Sequence, residues 1–123
     1  MPGKNCILVV DDNDSLRKTL SRELSENGYV VFSAANGREA INLVDAEKID
    51  LVLLDIKMPE LDGFEVLKYI KTKFPSLKVI MLTAYADLKN AMLSKKLGAD
   101  DFTSKPFDLV DLFSTIDRVL QNR

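Results

Sequence analysis

The chain has 123 residues, 46% of them hydrophobic and 29% charged, with a net charge of −2 at pH 7. A chain of that size buries enough surface to hold a core without metal or disulfide, and it has no basic stripe to neutralise nucleic-acid phosphates, so neither disorder nor direct nucleic-acid binding is expected. Histidine is absent, which removes Ser-His and Cys-His catalysis, His-ligated zinc and any phosphohistidine formed on this chain.

The first apolar run, residues 7–10, reads as a strand buried on both faces. It is far short of the ~20 residues of a membrane span, and it stops at Asp11 and Asp12, so no signal peptide is read there. Cys6 in the same run is a lone thiol, expected to be core packing in a reducing, cytoplasmic compartment. Leu16, Leu20 and Leu24 mark one face of a helix that Asn27-Gly28 should end. Residues 29–34 are β-rich. Asn36 predicts a helix N-cap, with Glu39 completing a capping box and Ala40, Leu43 and Val44 facing inward. Residues 51–54 predict a third strand ending at Asp55. After Gly63 a helix places Phe64, Leu67, Ile70 and Phe74 on its apolar side, and Pro75 closes it. Residues 79–82 predict a fourth strand ending at Thr83. A weaker helix over 87–97 has Leu88, Ala91 and Met92 inward and Gly98 as its stop. Residues 101–104 predict a short fifth strand. Leu109, Leu112, Phe113, Ile116, Val119 and Leu120 keep helical spacing to the end.

This strict alternation predicts one α/β domain over 1–123: a doubly wound, five-stranded parallel sheet with helices on both faces and right-handed crossovers. Fold frequency favours the flavodoxin-like order 2-1-3-4-5. In such sheets ligands bind beyond the carboxyl ends of the strands. The first strand ends in Asp11-Asp12, the third in Asp55, the fourth in Thr83 and the fifth in Lys105-Pro106. Three neighbouring carboxylates repel and resist full ionisation, and a magnesium ion would remove that cost. With a hydroxyl and a cation beside them, the set suits phosphoryl transfer, with Asp55 as the central nucleophile. Taken singly, each residue is more simply a helix cap, a turn former or a solvated lysine; four complementary strand ends on one crevice favour the chemical reading.

These residues resemble the receiver domain of bacterial two-component response regulators over nearly the whole chain. The resemblance rests on Val9-Val10-Asp11-Asp12, on Leu54-Asp55-Ile56-Lys57-Met58-Pro59 with Asp62-Gly63, on Leu82-Thr83-Ala84, and on Gly98-Ala99-Asp100-Asp101-Phe102 with Lys105-Pro106-Phe107. It implies that Asp55 is phosphorylated, and that Asp12, Asp55 and the backbone carbonyl of Lys57 ligate Mg2+ with Asp11 in support. It implies that Thr83 and Lys105 bind phosphoryl oxygens, that Phe102 is the switch aromatic, and that the bond before Pro106 is cis. Lys57 and Tyr85 are positions where the family varies. The implied donor is a sensor histidine kinase or a histidine phosphotransfer protein. The implied output surface, for a homodimer contact or an output domain, is the face of the fourth helix, fifth strand and fifth helix.

Two other classes are weighed against this. An aspartyl-phosphate phosphatase usually carries a second acid two residues after its nucleophile, where this chain has Lys57. A phosphorylation-independent docking module usually loses site residues, and all five are present here. No Gly-rich phosphate loop appears. The expected role is therefore a signalling phosphoacceptor in a two-component system or phosphorelay. It is not a turnover enzyme, although it would catalyse its own phosphorylation and dephosphorylation.

Overall fold

The computed structural model describes residues 5–83, 88–105 and 107–121. The strands are β1 (Cys6–Val10), β2 (Val30–Ala34), β3 (Leu51–Asp55), β4 (Lys78–Thr83) and β5 (Asp101–Ser104). The helices between and after them are α1 (Asp14–Glu26), α2 (Gly37–Ala46), α3 (Gly63–Lys73), α4 (Leu88–Lys96) and α5 (Leu109–Gln121). All pairs are parallel, as the alternation predicted, and the sheet order is β2-β1-β3-β4-β5, the one that fold frequency favoured.

Side chains alternate across each strand, so the sheet feeds two cores. Leu8, Val10, Val52, Leu54, Val79 and Met81 pack against Ala40 and Val44 of α2 and Val66, Leu67 and Ile70 of α3. Ile7, Val9, Leu51, Leu53, Ile80 and Leu82 pack against Leu20 and Leu24 of α1 and Leu112, Ile116, Val119 and Leu120 of α5. Residues 7–10 and 51–54 are fully buried, which explains why those runs are continuously apolar. Cys6 is buried as expected.

Short polar side chains start the helices. Asn13 accepts the Leu16 N–H at 3.0 Å, Asn36 that of Glu39 at 2.9 Å, and Asp62 that of Glu65 at 3.0 Å. The capping box at Asn36 is shifted: Glu39 accepts from the Ala35 N–H at 2.9 Å, one residue before the cap. Gly28 (φ +96°) and Gly98 (φ +100°) follow α1 and α4 in the left-handed conformation, which leaves both predicted stops in place.

In α3, Phe64 and Phe74 pack half-buried against the core on the expected side, and Val66 joins Leu67 and Ile70 as fully buried. The inward face of α4 differs from expectation. In α4, Met92 is 63% exposed, and among the described side chains of the helix the buried ones are Ala91 and Ser94. Ser94 meets the inside by donating its hydroxyl back to the Asn90 carbonyl at 2.8 Å. Tyr85, Asp87, Pro106 and the side chain of Leu88 lie outside the described residues, and with them the expected cis bond. Among the described residues no helix is long and apolar enough to cross a membrane.

Candidate functional site

The chain leaves β1 toward β2 on one side and returns to β3 on the other, so a crevice opens where the order reverses. Asp11 follows β1 and keeps its ladder, donating its N–H to the Ala34 carbonyl at 3.2 Å. Its side chain is fully buried. One carboxylate oxygen accepts the Asn13 N–H at 2.9 Å and the other accepts from Lys105 Nζ at 2.7 Å. Asn13 takes the cap of α1, which leaves Asp12 exposed and uncommitted to any hydrogen bond among the described residues.

Asp55 is the last residue of β3 and is 6% exposed. The next N–H, of Ile56, donates to the Leu82 carbonyl at 3.0 Å, which ties the loop to β4. The loop then folds back on itself, and the Gly63 N–H donates to the Ile56 carbonyl at 2.9 Å. Asp62-Gly63 therefore does two jobs, capping α3 and bringing its first turn against the strand end that carries Asp55.

Thr83 ends β4 and is buried. Its carbonyl accepts the Lys105 N–H, so β5 delivers Lys105 alongside it. The Lys105 ammonium reaches across to Asp11, and to Asp55 at 3.5 Å. Phe102 pairs in register with Met81 and packs half-buried against the core on the α2 and α3 side. Lys57 stands exposed beside the crevice. Asp12, Lys57, Met58, Asp62, Phe64 and Asn90 help line an open groove of about 460 Å³. A second depression, of about 580 Å³, lies at the opposite edge of the sheet around Asp50 and Lys78, away from the acids.

Carboxylate oxygens of Asp11, Asp12 and Asp55 lie within 4.8 Å of one another. Burial, then repulsion from Asp11 and to a lesser degree from Asp12, pushes the Asp55 carboxyl up to about 6, against the opposing pull of Lys105. Lys105 thus pairs with two of the three acids. Hard oxygen donors with excess negative charge are what a small divalent cation requires, so the residues present fit the magnesium that the sequence suggested. The five strand-end residues named from sequence are brought to one edge. What periodicity could not reveal is the close approach of Gly63 and the hold that α1 exerts on the Asp11-Asp12 turn.

Comparison with known proteins agrees with this geometry. The family model described as "Response regulator receiver domain" matches residues 7–117. Sporulation initiation phosphotransferase F of Bacillus subtilis (strain 168) is 41% identical over 114 residues, covering 93% of this chain and 92% of that protein. Regulatory protein AtoC of Escherichia coli (strain K12) is 40% identical over 121 residues, which is 98% of this chain and 26% of that protein. Among solved structures, a response regulator receiver domain protein (CheY-like) from Methanospirillum hungatei JF-1 superposes with a TM-score of 0.92 at 34% identity, covering 97% of this chain and 95% of that one. The response regulator protein TrrA from Thermotoga maritima, in complex with Mg(2+)-BeF, gives a TM-score of 0.85 at 37% identity, over 94% of this chain and 98% of that one.

Proposed function

Because the chain belongs to the response regulator receiver domain family, we propose that Asp55 accepts a phosphoryl group from the phosphohistidine of a sensor histidine kinase or histidine phosphotransfer protein. An Asp55 carboxylate oxygen attacks phosphorus. The bond from phosphorus to the donor imidazole nitrogen breaks, and the imidazole leaves with the electron pair and gains a proton from solvent. The acyl phosphate so formed is later hydrolysed to carboxylate and inorganic phosphate. The protein supplies position and charge.

The observation that carries this reading is the meeting of Asp11, Asp12, Asp55 and Lys105 at the switch point of the sheet. Asp12, Asp55 and the Lys57 carbonyl would hold Mg2+, with Asp11 in support; when bound, the ion neutralises the acids and the phosphoryl oxygens. The Mg(2+)-BeF complex of the Thermotoga maritima relative supports the same assignment here. Thr83 donates its hydroxyl to one phosphoryl oxygen, and Lys105 turns from Asp11 to another. An added charge of about −2 at Asp55 draws both groups, and the space Thr83 vacates is filled by Phe102. The packing of the α4, β5 and α5 face then changes, and that face controls an output domain, a second copy or a partner by population shift.

Incubation with Mg2+ and acetyl phosphate, followed by intact-mass measurement, tests the reading. A magnesium-dependent phosphoryl adduct is expected, and it should be absent from Asp55→Asn. An equal adduct in that variant would move the acceptor elsewhere. If neither acetyl phosphate nor beryllofluoride modifies the wild-type chain, a phosphorylation-independent docking role replaces this one.

A further inference from the structure

Asp11 is fixed three times over, through its N–H to Ala34 and through both carboxylate oxygens. Asp12 is exposed and makes no hydrogen bond among the described residues, so the backbone is what places its carboxylate near the other two. That backbone is held from α1. Arg17 lies in the first turns of a surface helix, yet its side chain is only 14% exposed. Its Nη1 donates to the Asp11 backbone carbonyl at 2.8 Å, and its Nη2 donates to Asp14 Oδ1 at 2.6 Å. The Asp11 carbonyl belongs to the peptide unit that joins Asp11 to Asp12, so fixing that oxygen fixes the plane from which Asp12 projects.

We propose that Arg17 is a positioning residue for the cation site, clamping the Asp11-Asp12 peptide so that the Asp12 carboxylate meets Asp11 and Asp55. The proposal rests on the reading of those acids as a magnesium site. Asp14 serves the clamp in two ways. It anchors the second arm of the guanidinium, and it offsets a positive charge that would otherwise oppose an incoming cation. A lysine would keep the charge but lack the fork that spans a carbonyl and a carboxylate together.

The charge and the clamp predict opposite signs, which makes the proposal testable. Were Arg17 only a nearby positive charge, removing it would tighten Mg2+ binding. As a clamp, its removal weakens binding. The experiment titrates Mg2+ into the wild-type 123-residue chain, Arg17→Ala, Arg17→Lys and Asp12→Asn, following amide shifts around residues 10–14 and 55–58 by NMR. The dissociation constant is expected to rise about tenfold in Arg17→Ala, the low end of the range found when groups supporting a metal ligand are removed, and by less in Arg17→Lys, which keeps the charge but not the fork. At sub-saturating Mg2+, phosphoryl uptake from acetyl phosphate should fall in step with the weakened affinity. Unchanged or tighter Mg2+ binding in Arg17→Ala overturns the proposal, as does a loss of uptake at saturating Mg2+ with affinity intact. If Arg17→Ala fails to fold, Arg17→Lys decides: unchanged affinity there overturns the clamp. If wild type shows no saturable shift that Asp12→Asn abolishes, the magnesium reading itself falls, and the clamp falls with it.

Discussion

A methyl group added at Gly63 would sit 2.2 Å from the Asp55 backbone oxygen and 2.8 Å from Ile56 Cα. Those are main-chain atoms, so no rotamer change relieves the contact, and α3 or the end of β3 must move. Gly28 needs glycine for a different reason. It has open space around the missing Cβ but a φ of +96°, which side chains resist. Gly63→Ala is expected to cost about 1–3 kcal/mol, as overpacking typically does. It should also shift the Asp55 carboxyl resonance and slow phosphoryl uptake. Gly28→Ala should cost about 1 kcal/mol and leave the Asp55 signal in place. Denaturant melts with NMR of the two variants check this; a silent Gly63→Ala would mean that the strand end yields freely. In sequence, Asp62-Gly63 carries meaning only through family resemblance, because hydrophobic spacing says nothing about two backbones in contact. The strand-end acids were legible because the continuous apolar runs of β1 and β3 stop abruptly at them.

At the scale of elements, α4 and α5 contrast. Helix α5 drives Leu112, Ile116, Val119 and Leu120 into the core beside α1. Helix α4 presents Ala91 and Ser94 inward, with Met92 63% and Leu93 39% exposed. Burying a large aliphatic side chain contributes about 1.5–3 kcal/mol, so the described side chains tie α5 down far more firmly than α4. Amides of α4 are expected to exchange through local openings well below the global unfolding free energy, and those of α5 near it. Ile116→Ala should cost about 2–5 kcal/mol, whereas Met92→Gln should stay within about 0.5 kcal/mol. Native-state hydrogen exchange with equal protection for the two helices would count against α4 as the less firmly held of the two. The same contrast decides how legible each helix is in the sequence. Apolar residues in α5 fall on one stripe. In α4 they run through Ala91, Met92 and Leu93 consecutively, so spacing could not choose the inward face and placed Met92 wrongly. Ser94, buried beside Ala91, looks polar in sequence and turns its hydroxyl back to the Asn90 carbonyl.

The whole molecule bears the cost of its site, because the acids sit at the ends of β1 and β3, two neighbouring interior strands. The parallel sheet itself was readable from the alternation of periods; its order came from fold frequency, and the convergence of distant residues followed from that order. A consequence for stability appears in the titration of Asp55. Its carboxyl has an ordinary value of 3.8 and is raised to about 6 in the fold, by burial first and by Asp11 next. Below pH 3.8 it is protonated in both folded and unfolded chains, and nothing is lost. As pH rises from there to about 6, the unfolded chain releases its proton first, so folded stability falls, and above about 6 the full penalty remains. Allowing for solvent screening, that penalty is on the order of 1–2 kcal/mol. In a chelator-containing buffer, the stability of Asp55→Asn relative to wild type should therefore rise by about that much between pH 4 and 7 and then level off. If the acids hold Mg2+ as proposed, the ion would bind the folded chain and not the unfolded one, so millimolar Mg2+ should shrink the difference at pH 7.5. Urea unfolding of both proteins across that range, with and without Mg2+, measures it directly. A gap that ignores pH would mean that Asp55 is not held against its neighbours' charge. A gap that follows pH but ignores Mg2+ would mean that the three carboxylates repel one another without forming a cation site.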